Sequence, residues 1–454
     1  MKPAFVAVLS LLLPVAPVIA QSVAQLKKEL KTKEADAKKD PDKLCEVAAW
    51  ASEKGMVADA KRIFQAVLKI NPDHEGANEG LGNASFEGKW MPKKQADELR
   101  RKKLVAEFQA KGMVEVDGVW VEKENADEAK KGIFRHEGEV VSKEEKMALL
   151  EGKVRHPDSG EMIDAKFLDK AKAHYFPIGR EGRWVDQKEA DTYHSDFDHP
   201  WFVRTVGATI VTTIPMEKIL ELKAMVDRGI ERVAPLFGSA PPLPANRPAV
   251  MIAITTEEYQ QLGTALGDET SSTSAFLMRE EARLRIPSQG ELRAGICIAK
   301  GDWAPYNVRH AAGLAYVQAK CADADATVPL WFLHGAAAYA SRFENDYDAG
   351  HFGKQHIQKG GVKNLKSWFS SFAINGEMEP KDIDYNLYQA GLIFHFATQG
   401  GDAAVTDAMQ AVTKAFEARK SSDVEKAIAG LTKILIASEE KMVAHLQKLV
   451  ASVH

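Results

Sequence analysis

Cysteine is scarce in this sequence. Only Cys45, Cys297 and Cys321 occur among 454 residues, which is too few for a disulfide framework, so the fold must depend on its own hydrophobic core. Cys297 and Cys321 either pair or remain buried thiols, and the sequence leaves both alternatives open. No cysteine directly follows the apolar N-terminal run, so nothing indicates a lipid anchor.

An excess of one charge is also missing. The formal net charge is -4, and acidic and basic residues are mixed along a chain that is 45% hydrophobic and 27% charged. This composition is typical of soluble globular protein and gives no reason to expect nucleic acid or an anionic membrane surface as a partner. The sequence contains no Gly-x-Ser-x-Gly, no phosphate-binding Gly-x-x-x-x-Gly-Lys-Ser/Thr and no Cys-x-x-Cys motif. Serine-nucleophile, nucleotide and dithiol chemistries therefore find no support.

One long hydrophobic run is present, at the N-terminus. Residues 1–20 begin with one lysine, continue as an apolar run and end in small residues at Val18 and Ala20, which predicts a secretory signal cleaved after Ala20. A membrane anchor is the alternative, but Pro14 and Pro17 make the run short and kinked for a spanning helix. The mature protein is therefore predicted to be periplasmic or secreted, without membrane insertion.

Residues 21–87 have a helical pattern. A glycine turn, small contact residues, an aromatic side chain and a helix-stopping proline follow one another at Gly55, Ala60, Phe64, Val67 and Pro72. This spacing resembles one tetratricopeptide repeat and the start of another. Such repeats bind partners when several stack, so this region is either a small binding groove or an N-terminal packing cap.

Residues 88–195 contain a second repeat. Five related stretches, among them "GKWMPKKQADE", "GVWVEKENADE" and "GRWVDQKEADT", start at Gly88, Gly118, Gly138, Gly160 and Gly182. Each predicts a hairpin with a glycine turn followed by a charged helix. Trp90, Trp120 and Trp184 occupy the same place in their repeats. They either form an outer row that binds sugar rings or a peptide, or cap the core under each hairpin.

Residues 196–454 change character again. "WFVRTVGATIVTT" predicts one strand, and the next segment predicts an amphipathic helix with Ile219, Leu222, Val226, Ile230 and Val233 on one face. A proline-rich linker, "GSAPPLPANRP", precedes the strand "AVMIAI" and a capping box from Thr255 to Glu258. "RLRIPSQGELRAGICIA" predicts a hairpin that turns at Ser288 to Gly290, and the chain is mainly helical from about residue 304. Strands followed by helices indicate an α+β domain.

Residues 200–415 resemble the gluzincin zinc peptidases, in particular the peptidase-MA-like domains of exported bacterial proteins. The resemblance is carried by "WFVRT", "TTEEYQQLG", "VRHAAGLAY", "PLWFLHGAAAYASRFE" and "YNLYQAGLIFHFAT", in that order. In that family a His-Glu-x-x-His helix supplies two zinc ligands and the general base. A glutamate in a "W-x-x-E-G-x-A-x-Y" segment supplies the third ligand. Trp331, Gly335, Ala337 and Tyr339 match that segment.

The sequence departs from the family pattern at the residues that would bind the zinc and act as the base. His310 matches the first ligand, but Ala311 stands in place of the base, Leu314 in place of the second histidine and His334 in place of the ligand glutamate. A catalytic zinc needs about three protein ligands and an open water position, and an alanine methyl cannot accept a proton from that water. A relocated site that combines His310 and His334 with Glu344, His351 or His356 stays open as an alternative.

The predicted fold class is therefore α+β and multidomain. A signal peptide (1–20), a helical tetratricopeptide-like region (21–87), small ββα-type Gly-Trp repeats (88–195) and a degenerate gluzincin-like domain with a mostly helical C-terminal part (196–454) follow one another. The expected function is non-catalytic binding or scaffolding, with no catalytic residues and no cofactor. The expected partner is a protein or peptide, or a cell-envelope polymer. A bound peptide is expected to pair with "RAGICIA" as an edge strand.

Two other functions remain as alternatives. The first is a metal-dependent hydrolase that uses zinc on an altered ligand set containing His310 and His334. The second is a structural envelope component that contacts only copies of itself or its neighbours.

Overall fold

The computed structural model describes residues 23–179, 182–265, 276–277, 283–286, 290–374 and 378–452. The predicted signal peptide and the turn predicted at Ser288 lie outside these residues. The chain divides into two compact units, residues Met1–Met113 and Val114–His454, called here the N-terminal and C-terminal units. The predicted α+β class is confirmed, because small sheets precede a largely helical C-terminal part.

The N-terminal unit is mostly helical. Its elements are α1 (Val23–Asp36), α2 (Pro41–Glu53), α3 (Val57–Ile70), α4 (Glu75–Gly80), β1 (Asn83–Phe86), β2 (Lys89–Pro92) and α5 (Lys93–Ala110). The predicted turn lies at Gly55, whose φ is +75°, a conformation that glycine adopts without steric cost. Ala60, Phe64 and Val67 are buried on α3 as the spacing predicts. This pair of helices is confirmed.

Four more hairpins begin the C-terminal unit, and each leads into a short helix. They are β3 (Val114–Val116), β4 (Val119–Val121) and α6 (Ala126–Ala129); β5 (Phe134–His136), β6 (Glu139–Val141) and α7 (Lys143–Leu150); β7 (Lys153–Arg155), β8 (Met162–Asp164) and α8 (Leu168–Lys172); and β9 (Tyr175–Ile178), β10 (Arg183–Asp186) and α9 (Gln187–Tyr193). With β1, β2 and α5 they make the five predicted hairpin–helix repeats. All five strand pairs are antiparallel.

The turns of the first three hairpins explain why the repeats are so short. Each is a two-residue turn with both residues at positive φ, as at Asp117 (+49°) and Gly118 (+80°). This is the geometry of a type I′ turn, whose twist matches that of the flanking strands. The Gly position is therefore fixed by the turn, and the hairpin pattern can be identified from sequence.

A sheet and a helical layer complete the C-terminal unit. The strands are β11 (Trp201–Arg204), β12 (Thr209–Thr212), β13 (Ala249–Ala253), β14 (Phe276–Leu277), β15 (Arg283–Ile286) and β16 (Gly290–Ile298). The helices are α10 (Met216–Val233), α11 (Thr256–Ala265), α12 (Ala304–Ala324), α13 (Leu330–Arg342), α14 (Asp346–Gln358), α15 (Leu365–Ser371), α16 (Pro380–Gln399), α17 (Ala403–Ala418), α18 (Ser421–Ala437) and α19 (Glu439–Ala451). The predicted apolar face of α10 is buried throughout. The Thr255 to Glu258 capping box is present, with N-to-O distances of 3.1 and 3.2 Å.

Two strand predictions are wrong. The segment predicted as one strand is the antiparallel pair β11 and β12, because the chain turns between Thr205 and Ala208, where the Ala208 amide donates to the Thr205 hydroxyl. The sheet order is β11-β12-β13-β16-β14, with β15 also paired to β16. "RAGICIA" therefore lies in an interior strand, with β13 on one side and β14 and β15 on the other, so the expected pairing with a peptide is blocked over most of its length.

Helix α12 lies at the centre of the main core. Every residue from Asn307 to Cys321 is buried, and α12 packs on α10, α13 and β16. A Cβ added to Gly295 of β16 would lie 2.1 Å from the Ala311 carbonyl oxygen. Glycine at this position therefore sets how closely the helix approaches the sheet.

We expect Gly295→Ala to lower the free energy of unfolding by about 3 kcal/mol, since neither the strand nor the helix backbone can move aside. The measurement is urea unfolding followed by circular dichroism. Gly430→Ala is the matched control, because nothing lies within 4 Å of a Cβ there and the residue is inside α18. That change is expected to stabilise by about 1 kcal/mol. Equal effects at the two glycines would contradict the proposed close contact.

Candidate functional site

The two histidines singled out in the sequence lie together in the core. His310 on α12 is 0% exposed and His334 on α13 is 1% exposed. Their ring centroids are 5.9 Å apart. The structure thus brings together the two histidines that the sequence analysis considered as candidate metal ligands.

A cationic side chain accompanies them. The Nη1 atom of Arg342 lies 3.4 Å from the Nδ1 atom of His310, and the Ser341 hydroxyl oxygen lies 3.5 Å from the same nitrogen. Burial, then the Arg342 charge, then His334 lower the pKa of His310 well below its ordinary value. Burial lowers the pKa of His334 to about 3. Both imidazoles are therefore neutral at neutral pH.

These residues do not fit a catalytic zinc. Ala311 and Leu314 are fully buried in the same helix and offer neither base nor ligand. The guanidinium of Arg342 repels a divalent cation at the Nδ1 side of His310. In the part of the chain that the structure describes, no three histidine, cysteine, aspartate or glutamate side chains are grouped closely enough to hold a metal ion.

The residues of the alternative relocated site have other partners. Glu344 forms ion pairs with Arg228 and Arg309. The ring of His356 is hydrogen-bonded at 3.0 Å to a glutamine amide on α16. His351 is exposed on α14. The structure therefore does not bring these three side chains to the histidine pair.

The two cysteines near this region are not joined. Cys297 on β16 and Cys321 on α12 are buried, and the structure contains no disulfide between them. Burial raises the pKa of the Cys297 thiol. The alternative that the sequence left open is thus resolved in favour of thiols.

The three repeat tryptophans are half-buried. Trp90, Trp120 and Trp184 each lie on the second strand of their hairpin. Trp184 packs on Phe167, with ring centroids 5.0 Å apart, and stacks near His156 at 6.3 Å. Packing therefore covers part of the Trp184 ring.

A large cavity, which the sequence did not predict, lies elsewhere in the C-terminal unit. Its volume is about 1150 Å³. It is lined by the third hairpin–helix repeat, the turn between β11 and β12, α10, α12, α17 and a segment with five prolines, Pro235, Pro241, Pro242, Pro244 and Pro248. We call it the proline-lined cavity, and residues 235–248 the proline segment. Four of these prolines, Pro241, Pro242, Pro244 and Pro248, had indicated only a linker.

Buried polar groups hold the proline segment in place. The Asp323 carboxylate accepts from the Leu243 amide at 2.9 Å and from the Asn246 side chain at 2.8 Å. The Lys320 ammonium, on a side chain only 2% exposed, donates to the Ala240 carbonyl at 2.9 Å. These bonds fix a stretch that contains few backbone N–H groups of its own.

The opposite wall is fixed by an ion-pair cluster. Arg204 of β11 is 8% exposed and pairs with Glu139 and Glu145 of the third repeat. Arg155 of the fourth repeat donates to Glu139 at 3.0 Å. The third and fourth repeats are thereby attached to the sheet, as expected for units too small to bury their own apolar faces.

Arg247 closes the corner between these walls. Its Nη2 atom donates to the backbone carbonyls of Thr205 at 2.6 Å and Ala208 at 3.0 Å. Burial, then the neighbouring charge of Arg204, lower the pKa of Arg247 to about 9. The two hydrogen bonds from Arg247 attach the turn between β11 and β12 to the edge of the cavity.

Two side chains in the lining of the cavity differ from the rest in exposure or hydrogen bonding. Tyr316 of α12 lines the cavity and is 3% exposed, and no described residue donates to or accepts from its hydroxyl. Burial raises its pKa, so the hydroxyl stays protonated. Val206 lines the rim and is 89% exposed, although it is apolar. The cavity thus combines apolar surface with an available polar group, as ligand sites commonly do.

Comparisons with protein-family models, with curated proteins and with solved structures found no match for the chain. Across the described residues, none of the helices combines the length and the apolar character that a membrane crossing requires.

The buried imidazole of His334 makes stability depend on pH. Its folded pKa lies below the unfolded value of about 6.5, so the unfolded chain binds the proton first and the free energy of unfolding falls as pH drops from about 6.5 towards 3. We expect His334→Met to reduce this slope by about 1.4 kcal/mol per pH unit between pH 6 and 4. The measurement is urea unfolding at several pH values.

Leu333→Met is the control for repacking, since it changes a neighbouring core residue without removing a titrating group. It is expected to keep the wild-type slope. An unchanged slope in His334→Met would mean that the imidazole takes up its proton in the folded state.

The histidine pair is also expected to hold no stoichiometric zinc. After zinc loading and dialysis, elemental analysis of the purified protein should give far less than one equivalent. The double variant His310→Ala, His334→Ala should give the same value. Nearly one zinc per chain that disappears in the double variant would reinstate a metal site.

Proposed function

We propose that the chain is an exported, non-catalytic binding protein built on an inactivated gluzincin-like fold, and that its ligand is an extended peptide or protein segment held in the proline-lined cavity. The observation that supports this proposal is the proline-lined cavity. The same proposal places the mature protein in the periplasm or outside the cell.

The histidine centre supports a non-catalytic role. His310 and His334 are closed off from solvent beside Arg342, whereas a zinc hydrolase needs an open coordination position for water. The residues that match the family's base and second ligand are apolar. A hydrolase reaction at this pair therefore lacks a proton acceptor as well as a complete donor set.

The size and lining of the cavity favour a peptide. Small-molecule sites occupy about 300–1,000 Å³, and this cavity is larger, at about 1150 Å³. The proline segment presents pyrrolidine rings and few backbone donors, so recognition would rest on apolar contact and on side-chain polar groups, without addition of a strand. The exposed side chain of Val206 is available for the same contact.

A positional-scanning library of octapeptides, immobilised as an array, tests the proposal. We expect the purified protein to bind a subset of the array without cleaving it, as judged by mass spectrometry. Val206→Trp should fill the rim of the cavity and weaken binding of that subset at least about tenfold.

Val57→Trp is the matched control, because Val57 is also an exposed valine, at 68%, and lies in the N-terminal unit. It should bind as the wild type does. Wild-type protein that binds no peptide, or binding that Val206→Trp leaves intact, would reject the cavity as a peptide site.

A further inference from the structure

Two of the three arginines on the wall of the proline-lined cavity are paired with carboxylates. Arg135 donates to Glu128 at 2.6 Å. Arg204 is paired with two carboxylates of the third repeat. Arg247 donates to backbone carbonyls of the turn between β11 and β12. Arg135 and Arg204 are therefore balanced by carboxylates, whereas Arg247 is held by the turn and its buried Nε has no partner among the described residues.

Two carboxylates on the wall, those of Glu417 and Glu231, form no ion pair with a described residue. Glu417 of α17 accepts from the Ser239 amide at 3.3 Å and lies within the electrostatic reach of Lys320. Glu231 of α10 also lines the cavity and is exposed. Among the described residues, no cation lies within ion-pairing distance of Glu231. The carboxylate of Glu231 is therefore available to a ligand.

A second, independent feature points the same way. Tyr316 is 97% buried yet lines this cavity, and its hydroxyl has no partner within the described part of the chain. The phenolic oxygen itself stays accessible to the cavity, so water or a ligand can complete its hydrogen bonding. The hydroxyl can accept an N–H from a ligand while the apolar walls exclude competing water.

We propose that the peptide bound in the cavity carries a basic group, a lysine or arginine side chain or a free amine, which binds the Glu231 carboxylate. This rests on the proposed function and names the chemical class of its ligand. Charge-assisted hydrogen bonds from such a group are stronger than neutral ones. The aliphatic stem of lysine or arginine can at the same time lie along Val206 and the proline rings.

The octapeptide array provides the first test. Peptides with lysine or arginine at one position should give the strongest signals, and glutamate at that position should abolish binding. For the best lysine peptide, measured by fluorescence anisotropy, we expect Glu231→Gln to weaken binding about tenfold. Tyr316→Phe, which removes only the hydroxyl, should weaken it by a smaller factor.

Glu221→Gln is the matched control, because Glu221 is an exposed glutamate on the same helix, α10, and does not line the cavity. It should bind as the wild type does. The norleucine analogue of the lysine peptide should bind wild type and Glu231→Gln equally.

The outcomes separate the two proposals. Suppose that peptides bind to the wild type and that Val206→Trp abolishes this binding. If the bound peptides then show no preference for basic residues, or if Glu231→Gln does not weaken their binding, the proposal of a cationic ligand is overturned and the proposal of a peptide site remains. An array with no bound peptide would overturn both. Equal losses in Glu231→Gln and Glu221→Gln would show a general effect of net charge and also overturn the assignment to Glu231.

Discussion

The close packing of α12 is the constraint on which the rest of the C-terminal unit depends. Glycines from two neighbouring elements allow it: a Cβ on Gly229 would lie 2.7 Å from the Arg309 carbonyl oxygen, and one on Gly295 would lie 2.1 Å from that of Ala311. With backbones in contact, no space remains for water along the helix. Most polar side chains on α12, such as Lys320 and Arg309, accordingly have protein partners, whereas the amide of Gln318 is buried without one among the described residues.

Two parts of the same helix therefore have different chemical surroundings. Near its start, His310 lies in a closed core beside a buried guanidinium, which disfavours both protonation and a bound cation. Two turns further on, Tyr316 reaches a cavity that solvent can enter. An accessible polar group of α12 is therefore the hydroxyl of Tyr316.

Features that depend on neighbouring residues could be predicted from the sequence. Features that depend on contacts between distant segments could not. The turns at Gly55 and Gly118, the capping box at Thr255 and the buried face of α10 all follow from local spacing. The turn between β11 and β12 was missed because apolar β-branched residues on both sides hide it. The cavity was missed because its wall depends on Arg204 meeting Glu139 and Glu145, which lie 65 and 59 residues away along the chain.

The proline-lined cavity has the properties of a preorganised site. The Asp323 carboxylate and the Lys320 ammonium form hydrogen bonds with backbone atoms of the proline segment. Burial raises the pKa of Asp323. Burying such groups costs free energy that ordinary surface loops avoid. The result is a rigid wall, so a ligand that enters it loses less conformational entropy to ordering of the protein. An accidental gap between packed elements would not require these bonds, because prolines already restrict the segment. These bonds hold the shape of the cavity, and that fixed shape supports the proposed binding role.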